Sequence, residues 1–209
     1  MPEQLRIKQQ NCKHSKEVTL TLINEADPSK WDLLLIQEPY IYPDCRSSIA
    51  TAKWFPLYPP QSINKIPCSM ILVSNTLSSN TFEQIQIPSD TVTATSIKLT
   101  DGTINIYNIY NPPDSNSALI DLHEWLITHP TSDTSNMVWA GDFNKHNPIW
   151  TAPEYHARCC CSNSELLLQL LADHKMILGL PPGTLTYHSD AHKTWSTLDL
   201  VFCDETILS

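Results

Sequence analysis

Apolar and polar positions along the chain fall into short blocks with two different periods. Residues 5–10 begin with alternating apolar and polar side chains, the two-residue period of a strand. Residues 18–24 read as a helix that stops near Asp27-Pro28. Residues 33–36 are apolar on both faces, as a central buried strand requires, and the run ends in Gln37-Glu38-Pro39. Residues 40–67 are rich in proline and aromatics and read as a long ordered loop, followed by a second buried strand over Ser69–Ser74. Two strands, 91–99 and 103–110, flank Asp101-Gly102, a hairpin turn signal. Residues 116–128 place Leu119, Leu122, Trp125 and Leu126 on one helical face. Residues 137–140 form a short apolar strand running into Gly141-Asp142-Phe143-Asn144. Residues 162–174 are the clearest helix, with Ser162 or Asn163 as cap and Glu165 in the first turn. Residues 184–189 and 195–202 read as a closing hairpin. Mixed strands and helices, with polar residues at the strand ends, predict an α/β (α+β) layered domain whose site lies at strand C-termini.

Composition narrows this picture. At 209 residues and 41% hydrophobic the chain reads as one domain with a core of its own, and no apolar run is long enough for a membrane span or signal peptide. Neither GxGxxG nor GxxxxGK occurs, so no glycine-rich phosphate loop is expected. Seven cysteines without a CxxC read as free thiols of a reducing compartment, and Cys159-Cys160-Cys161 beside His156 lack zinc-ligand spacing. The net charge of −9 argues against a general polyanion binder. Between Asp142 and Lys193, however, four Lys/Arg and five histidines face five acids, so the acidic excess lies elsewhere. Any nucleic-acid binding should therefore be local, weak and salt-sensitive.

The strand ends carry the chemistry. Asn11, Glu38, Tyr110-Asn111, Asp142 with Asn144, and Ser196 with Asp199 follow or open five apolar segments. Glu38 ends a wholly apolar strand; it is either a hard-cation ligand or a loop-start residue in a salt bridge. Asp142 and Asn144 suit one acceptor and one donor aimed at a single anionic group, or an Asx turn after Gly141. Asp199 lies between Leu198 and Leu200 and needs a partner, for which histidine is common where protons move. Oxygen ligands point to magnesium or manganese rather than zinc. The residues alone thus suggest a magnesium-type phosphoester hydrolase. His146 and Trp150 read equally as substrate contacts or loop packing, and His188, His192 and Lys193 as groove contacts or a solvated turn.

The same residues form a pattern. IQEP at Glu38, NIYNPP at Tyr110, WAGDFN at Asp142 and WSTLDLVF at Asp199 resemble the endonuclease/exonuclease/phosphatase superfamily, in particular the endonuclease domains of non-LTR (LINE-type) retrotransposons, relatives of the apurinic/apyrimidinic endonucleases. GDFNKHNPIW looks like the insect-type branch of those elements. The resemblance implies a four-layer α/β/β/α sandwich of two sheets and hydrolytic nicking of DNA to leave a 3′-hydroxyl primer for reverse transcription. It implies Mg²⁺, with Mn²⁺ as substitute, held by Glu38 with Asn11 on the metal side. Tyr110 would contact the scissile phosphate, Asp142 would orient or deprotonate water, Asn144 would bond the phosphate or that water, and Asp199 would orient a histidine. Asn111, His146, Thr186, His188, His192, Lys193 and Ser196 would contact substrate, several of them on a DNA-contacting hairpin. DNA is the implied partner of a monomer acting in the nucleus, with a reverse transcriptase following in the full reading frame.

The family pattern closes with a Ser-Asp-His motif. Here no such tripeptide occurs, all eight histidines precede Asp199, and the sequence ends ten residues after it, at Ser209. The expectation is a domain truncated before its last strand, with Asp199 lacking its partner. Two other readings follow: a non-catalytic remnant that keeps the fold and DNA binding, and a phosphatase acting on a soluble phosphoester. No basic cluster suited to a polyphosphate is evident for the second.

Overall fold

The computed structural model of the chain describes residues 4–43, 47–49, 51–60, 66–130, 135–158, 161–189 and 193–207. A first sheet contains β1 (Ile7–Asn11), β2 (Leu33–Gln37), β3 (Trp54–Leu57) and β4 (Ser69–Ser74) in the order β1-β2-β4-β3, with α1 (Lys16–Glu25) crossing from β1 to its parallel neighbour β2. A second sheet contains β5 (Phe82–Ile85), β6 (Val92–Leu99), β7 (Gly102–Tyr110), β8 (Ser135–Asp142) and β9 (Met176–Leu178), with α2 (Ser117–Thr128) and α3 (Glu165–Asp173) between its later strands. β10 (Tyr187–Ser189) and β11 (Thr194–Ser196) pair only with each other as an antiparallel ribbon. β12 (Asp199–Asp204) then returns to the second sheet and inserts between β8 and β9.

The two-residue period of β2 explains the layering. Leu34 and Ile36 face α1, where they pack with Leu22, Ile23, Met70 and Leu72. Leu33 and Leu35 face the second sheet and pack with Ile71, Ile104, Ile106, Val138 and Ala140. On the far side of the second sheet, Tyr107, Ile109, Trp139 and Phe202 meet Leu119, Leu122, Leu167 and Leu170 of α2 and α3. The result is the α/β/β/α sandwich. Polar ties cross the apolar middle: the Ser69 and Thr93 hydroxyls share a hydrogen bond (2.7 Å), the Gln37 amide donates to Asn108 Oδ1, and Asn108 Nδ2 donates to the carbonyls of Ile36 (3.0 Å) and Met70 (2.8 Å). The Asn108 amide, buried with both ends bonded, fixes the register of the sheets more sharply than apolar contact does, although Gln37 Oε1 stays without a partner. The Gln37–Asn108 tie sits one residue before Glu38 and two before Tyr110.

Besides adding β5 and β9, for which the pattern gave no strand, the structure departs from the pattern reading in three places. The loop 40–67 contains β3, whose Pro56 is tolerated because β3 is an edge strand paired only with β4. The segment 195–202 is two strands, not one. Thr197 and Leu198 break it: the Thr197 hydroxyl donates to the Thr184 carbonyl (2.7 Å) and the Leu198 N–H to Thr186 Oγ1 (3.1 Å), which turns the chain from the ribbon into the second sheet. The helix expected from residue 162 begins as a 3-10 turn over Cys161–Ser164, with α3 capped at Ser164. Among the described residues no helix is long and apolar enough to cross a membrane.

Candidate active site

Register brings the polar strand ends together. Tyr110 ends β7 opposite Asp142 at the end of its parallel neighbour β8. Asp199 opens β12 directly across from Asp142 on the other side. Asn11 ends β1 opposite Gln37, next to Glu38. Both sheets thus deliver residues to one end of the sandwich, around an open cleft of about 960 Å³. Asn11, Glu38, Tyr110, Asp142, Asn144, His146 and Ser196 line it, together with Lys13, Tyr187 and Trp195.

Hydrogen bonds knit these residues across the sheets. Asn11 Nδ2 donates to Asp142 Oδ2 (2.9 Å), and the Asn144 N–H donates to Asp142 Oδ1 (3.1 Å). The Tyr110 hydroxyl donates to Glu38 Oε1 (2.9 Å), and His14 Nε2 lies 3.3 Å from the same oxygen. Asn144 Nδ2 donates to the Asn111 carbonyl (3.0 Å). Lys13, His14, Glu38 and Asn144 all take left-handed backbone conformations, with φ of 49°, 53°, 46° and 49°. Non-glycine residues rarely do so, and such strain collects where function demands a placed side chain.

The electrostatics separate the roles. Asp142 is only 7% exposed. Burial, then the charge of Asp199, pushes its carboxyl up to about 6, against the opposing hydrogen bonds from Asn11 and Asn144. Burial also raises Asp199, opposed by Thr186 and by Gln9, whose Nε2 donates to Asp199 Oδ1 (3.0 Å). The Tyr110 phenol is pushed well above its ordinary range by burial, its bond to Glu38 and the nearby carboxylates. It therefore remains a donor at neutral pH. His146 is pushed down by burial, which favours the neutral imidazole.

Three carboxylates that repel one another, two of them in an open cleft, fit a hard divalent cation. Among the described residues no group of three or more His, Cys, Asp and Glu side chains is placed to hold a metal ion, so an ion here would take most of its ligands from water and substrate phosphate. Glu38, with its side chain 19% exposed, and Asn11 beside it are the residues that would hold such an ion.

Other expected positions fall differently. Asn111, expected to touch substrate, is fully buried; its Nδ2 is committed to the carbonyls of Ser115 (2.8 Å), Pro112 and Phe143, so it folds the loop instead. Trp150 is buried as well, its Nε1 donating to the Lys145 carbonyl. Thr186, His188 and Asp199 line an adjoining cleft of about 620 Å³. The Thr186 hydroxyl accepts from the N–H groups of Leu198 and Asp199 and thereby positions the carboxylate. Lys193 is exposed at the ribbon turn, and His192 lies outside the described residues. Lys13, Tyr187, Trp195 and Tyr155 escaped the sequence reading. The signal was available for Lys13, two residues after Asn11 in a stretch from 4 to 16 that holds three lysines, an arginine and no acid.

Two sheets face to face with helices outside, and a carboxylate–amide cluster at one end, define the deoxyribonuclease I-like fold of the endonuclease/exonuclease/phosphatase enzymes. The sequence profile of the endonuclease-reverse transcriptase family (Exo_endo_phos_2) matches residues 104–209, and the chain belongs to that family. Among solved structures the chain is similar to the endonuclease domain of TRAS1, a telomere-specific non-LTR retrotransposon (TM-score 0.74, 19% identity, 98% of this chain and 87% of that one). It is also similar to an AP endonuclease from Leishmania major (TM-score 0.69, 13% identity, 96% and 79%) and to one from Archaeoglobus fulgidus (TM-score 0.64, 15% identity, 97% and 88%). At these identities the likeness is one of fold. Comparison with curated protein sequences gave no match.

Proposed function

We propose that the chain is a divalent-metal-dependent DNA endonuclease domain of a LINE-type retrotransposon. It nicks a phosphodiester and leaves a 3′-hydroxyl that primes reverse transcription in the nucleus. The observation that carries this reading is Asp142, a buried carboxylate held by Asn11 and Asn144 with its acidity tuned to about 6. A carboxylate with that value is ionised at neutral pH yet basic enough to accept a proton from water.

Asp142 takes a proton from the attacking water as its oxygen bonds to phosphorus. The bond to the 3′ oxygen breaks, and that oxygen takes up a proton to become the hydroxyl. The Tyr110 hydroxyl, which donates to Glu38 in the free protein, turns its one hydrogen to the phosphate when substrate binds, and the Asn144 amide aligns the phosphate or the water. Asp199, held by Gln9 (3.0 Å) and positioned by Thr186, stands across from Asp142, where its charge keeps Asp142 basic. Glu38 and Asn11 would hold a Mg²⁺ or Mn²⁺ ion, which would supply charge neutralisation to the reacting phosphodiester when bound. The ribbon residues His188, Lys193 and Ser196, with His146 in the same cleft as Ser196, contact the flanking DNA.

The test is incubation of supercoiled plasmid with the protein and Mg²⁺, followed by DNA polymerase and labelled nucleotides. Open-circle product that incorporates label is expected, because the nick presents a 3′-hydroxyl. Nicks that polymerase extends only after phosphatase treatment would contradict the proposed bond cleavage, and intact plasmid would contradict the activity.

A further inference from the structure

Among the described residues the cleft is lined by two of the three carboxylates and by one lysine or arginine, Lys13. Its place is built, not incidental. The turn from β1 to α1 puts Lys13 and then His14 in left-handed backbone conformations. The Lys13 N–H donates to Asn11 Oδ1 (2.8 Å), while the other end of the same amide donates to Asp142. The group that places the general base thus also places Lys13. Its ammonium stands 4.7 Å from the centre of the Tyr187 ring, on the wall shared by both clefts. A ring face steadies a cation without consuming its N–H donors. Among the described residues no carboxylate lies within ion-pair distance of Lys13. The charge of Lys13 reaches Asp199 and draws its carboxyl down, against the effect of burial, without a direct ion pair, which leaves the ammonium N–H groups to meet an anionic oxygen of a substrate.

We propose that Lys13 is a catalytic residue that binds a non-bridging oxygen of the scissile phosphodiester; this rests on the endonuclease reading of the same cleft. Water oxygen bonds to phosphorus, its proton passes to Asp142, and the bond to the leaving oxygen breaks. Lys13 carries no proton in this step. Its fixed charge meets the negative charge that gathers on the non-bridging oxygens as phosphorus becomes five-coordinate, where a preoriented donor acts most strongly. The Tyr187 ring is a positioning residue that keeps the ammonium over the cleft.

The experiment compares wild type, Lys13→Gln and Lys13→Arg. Nicking of a duplex is followed in Mg²⁺, and binding of the same labelled duplex is followed by anisotropy without divalent ions over a range of salt. Lys13→Gln should lower kcat by about 10²-fold, the usual loss for one donor to a developing oxyanion. It should also flatten the salt slope of binding by about one phosphate contact. Lys13→Arg should recover most of both. Lys13 is exposed, so matched melting curves for the three proteins are expected. A wild type that nicks, with Lys13→Gln equal to it in kcat and in salt slope, overturns the inference alone. A wild type that leaves the duplex intact overturns the endonuclease reading and this role with it.

Discussion

Asp142 meets opposing demands. Burial and Asp199 hold its carboxyl up to about 6, whereas an unfolded aspartate titrates near 3.8. A group whose folded value is raised contributes stability that is fully present below the unfolded value and is lost as pH rises through the folded one. The two-unit difference corresponds to about 3 kcal/mol withdrawn by neutral pH. Asp199, also raised, acts in the same direction. His146, His174 and Asp32, shifted down, act in the opposite direction, so the comparison is with Asp142→Asn: the melting temperature of metal-free wild type relative to that variant should fall by several degrees from pH 4.5 to pH 7, and millimolar Mg²⁺ should restore much of the loss at pH 7. A wild-type melting temperature that rises relative to Asp142→Asn across that window without metal would contradict this. The same residue sets the acid limb of activity: nicking should rise through about pH 6. Asp199→Asn should move that limb to lower pH as it removes the neighbouring charge, while also lowering the plateau.

Elements show why some of the fold was legible in the sequence and some was not. β4 is delimited as expected because its apolar run is unbroken between two serines, and the β6–β7 hairpin because Asp101-Gly102 marks its turn. β5 (Phe82–Ile85) carries Glu83 and Gln84 at its centre, and β9 is three residues long; neither has enough pattern to announce a strand. The ribbon and β12 share an unbroken β-like sequence, and their separation depends on tertiary bonds from Thr184 and Thr186 that no local pattern records. At the site, Glu38, Tyr110, Asp142 and Asp199 were visible as polar punctuation of apolar strands. Asn111 carried the same signal and proved structural, because strand-end position does not reveal which way a side chain turns. Gly141 illustrates the reverse. Its φ of 151° and a Cβ position only 1.9 Å from the Ile109 carbonyl oxygen leave room for no side chain where β8 lies against β7. Gly141→Ala should cost roughly 3 kcal/mol or more, from backbone strain and overpacking together. Denaturant melts measure this; an unchanged midpoint would show that β7 and β8 pack less closely than described.

For the whole molecule, the site is a joint between two sheets. Glu38 and Asn11 come from the first; Tyr110, Asp142 and Asp199 come from the second, and three side-chain hydrogen bonds cross between them. The buried Gln37–Asn108 tie lies directly beneath. Substrate binding is correspondingly local. On the proposed reading, a chain with net charge −9 would present its cations to DNA at Lys13 and the ribbon rather than through an overall field. The most direct test is the initial rate of plasmid nicking in Mg²⁺ by wild type, Glu38→Gln and Asp142→Asn. The account predicts nicking by wild type and a loss of at least about 10²-fold in each variant. Wild-type rates in both variants would contradict it.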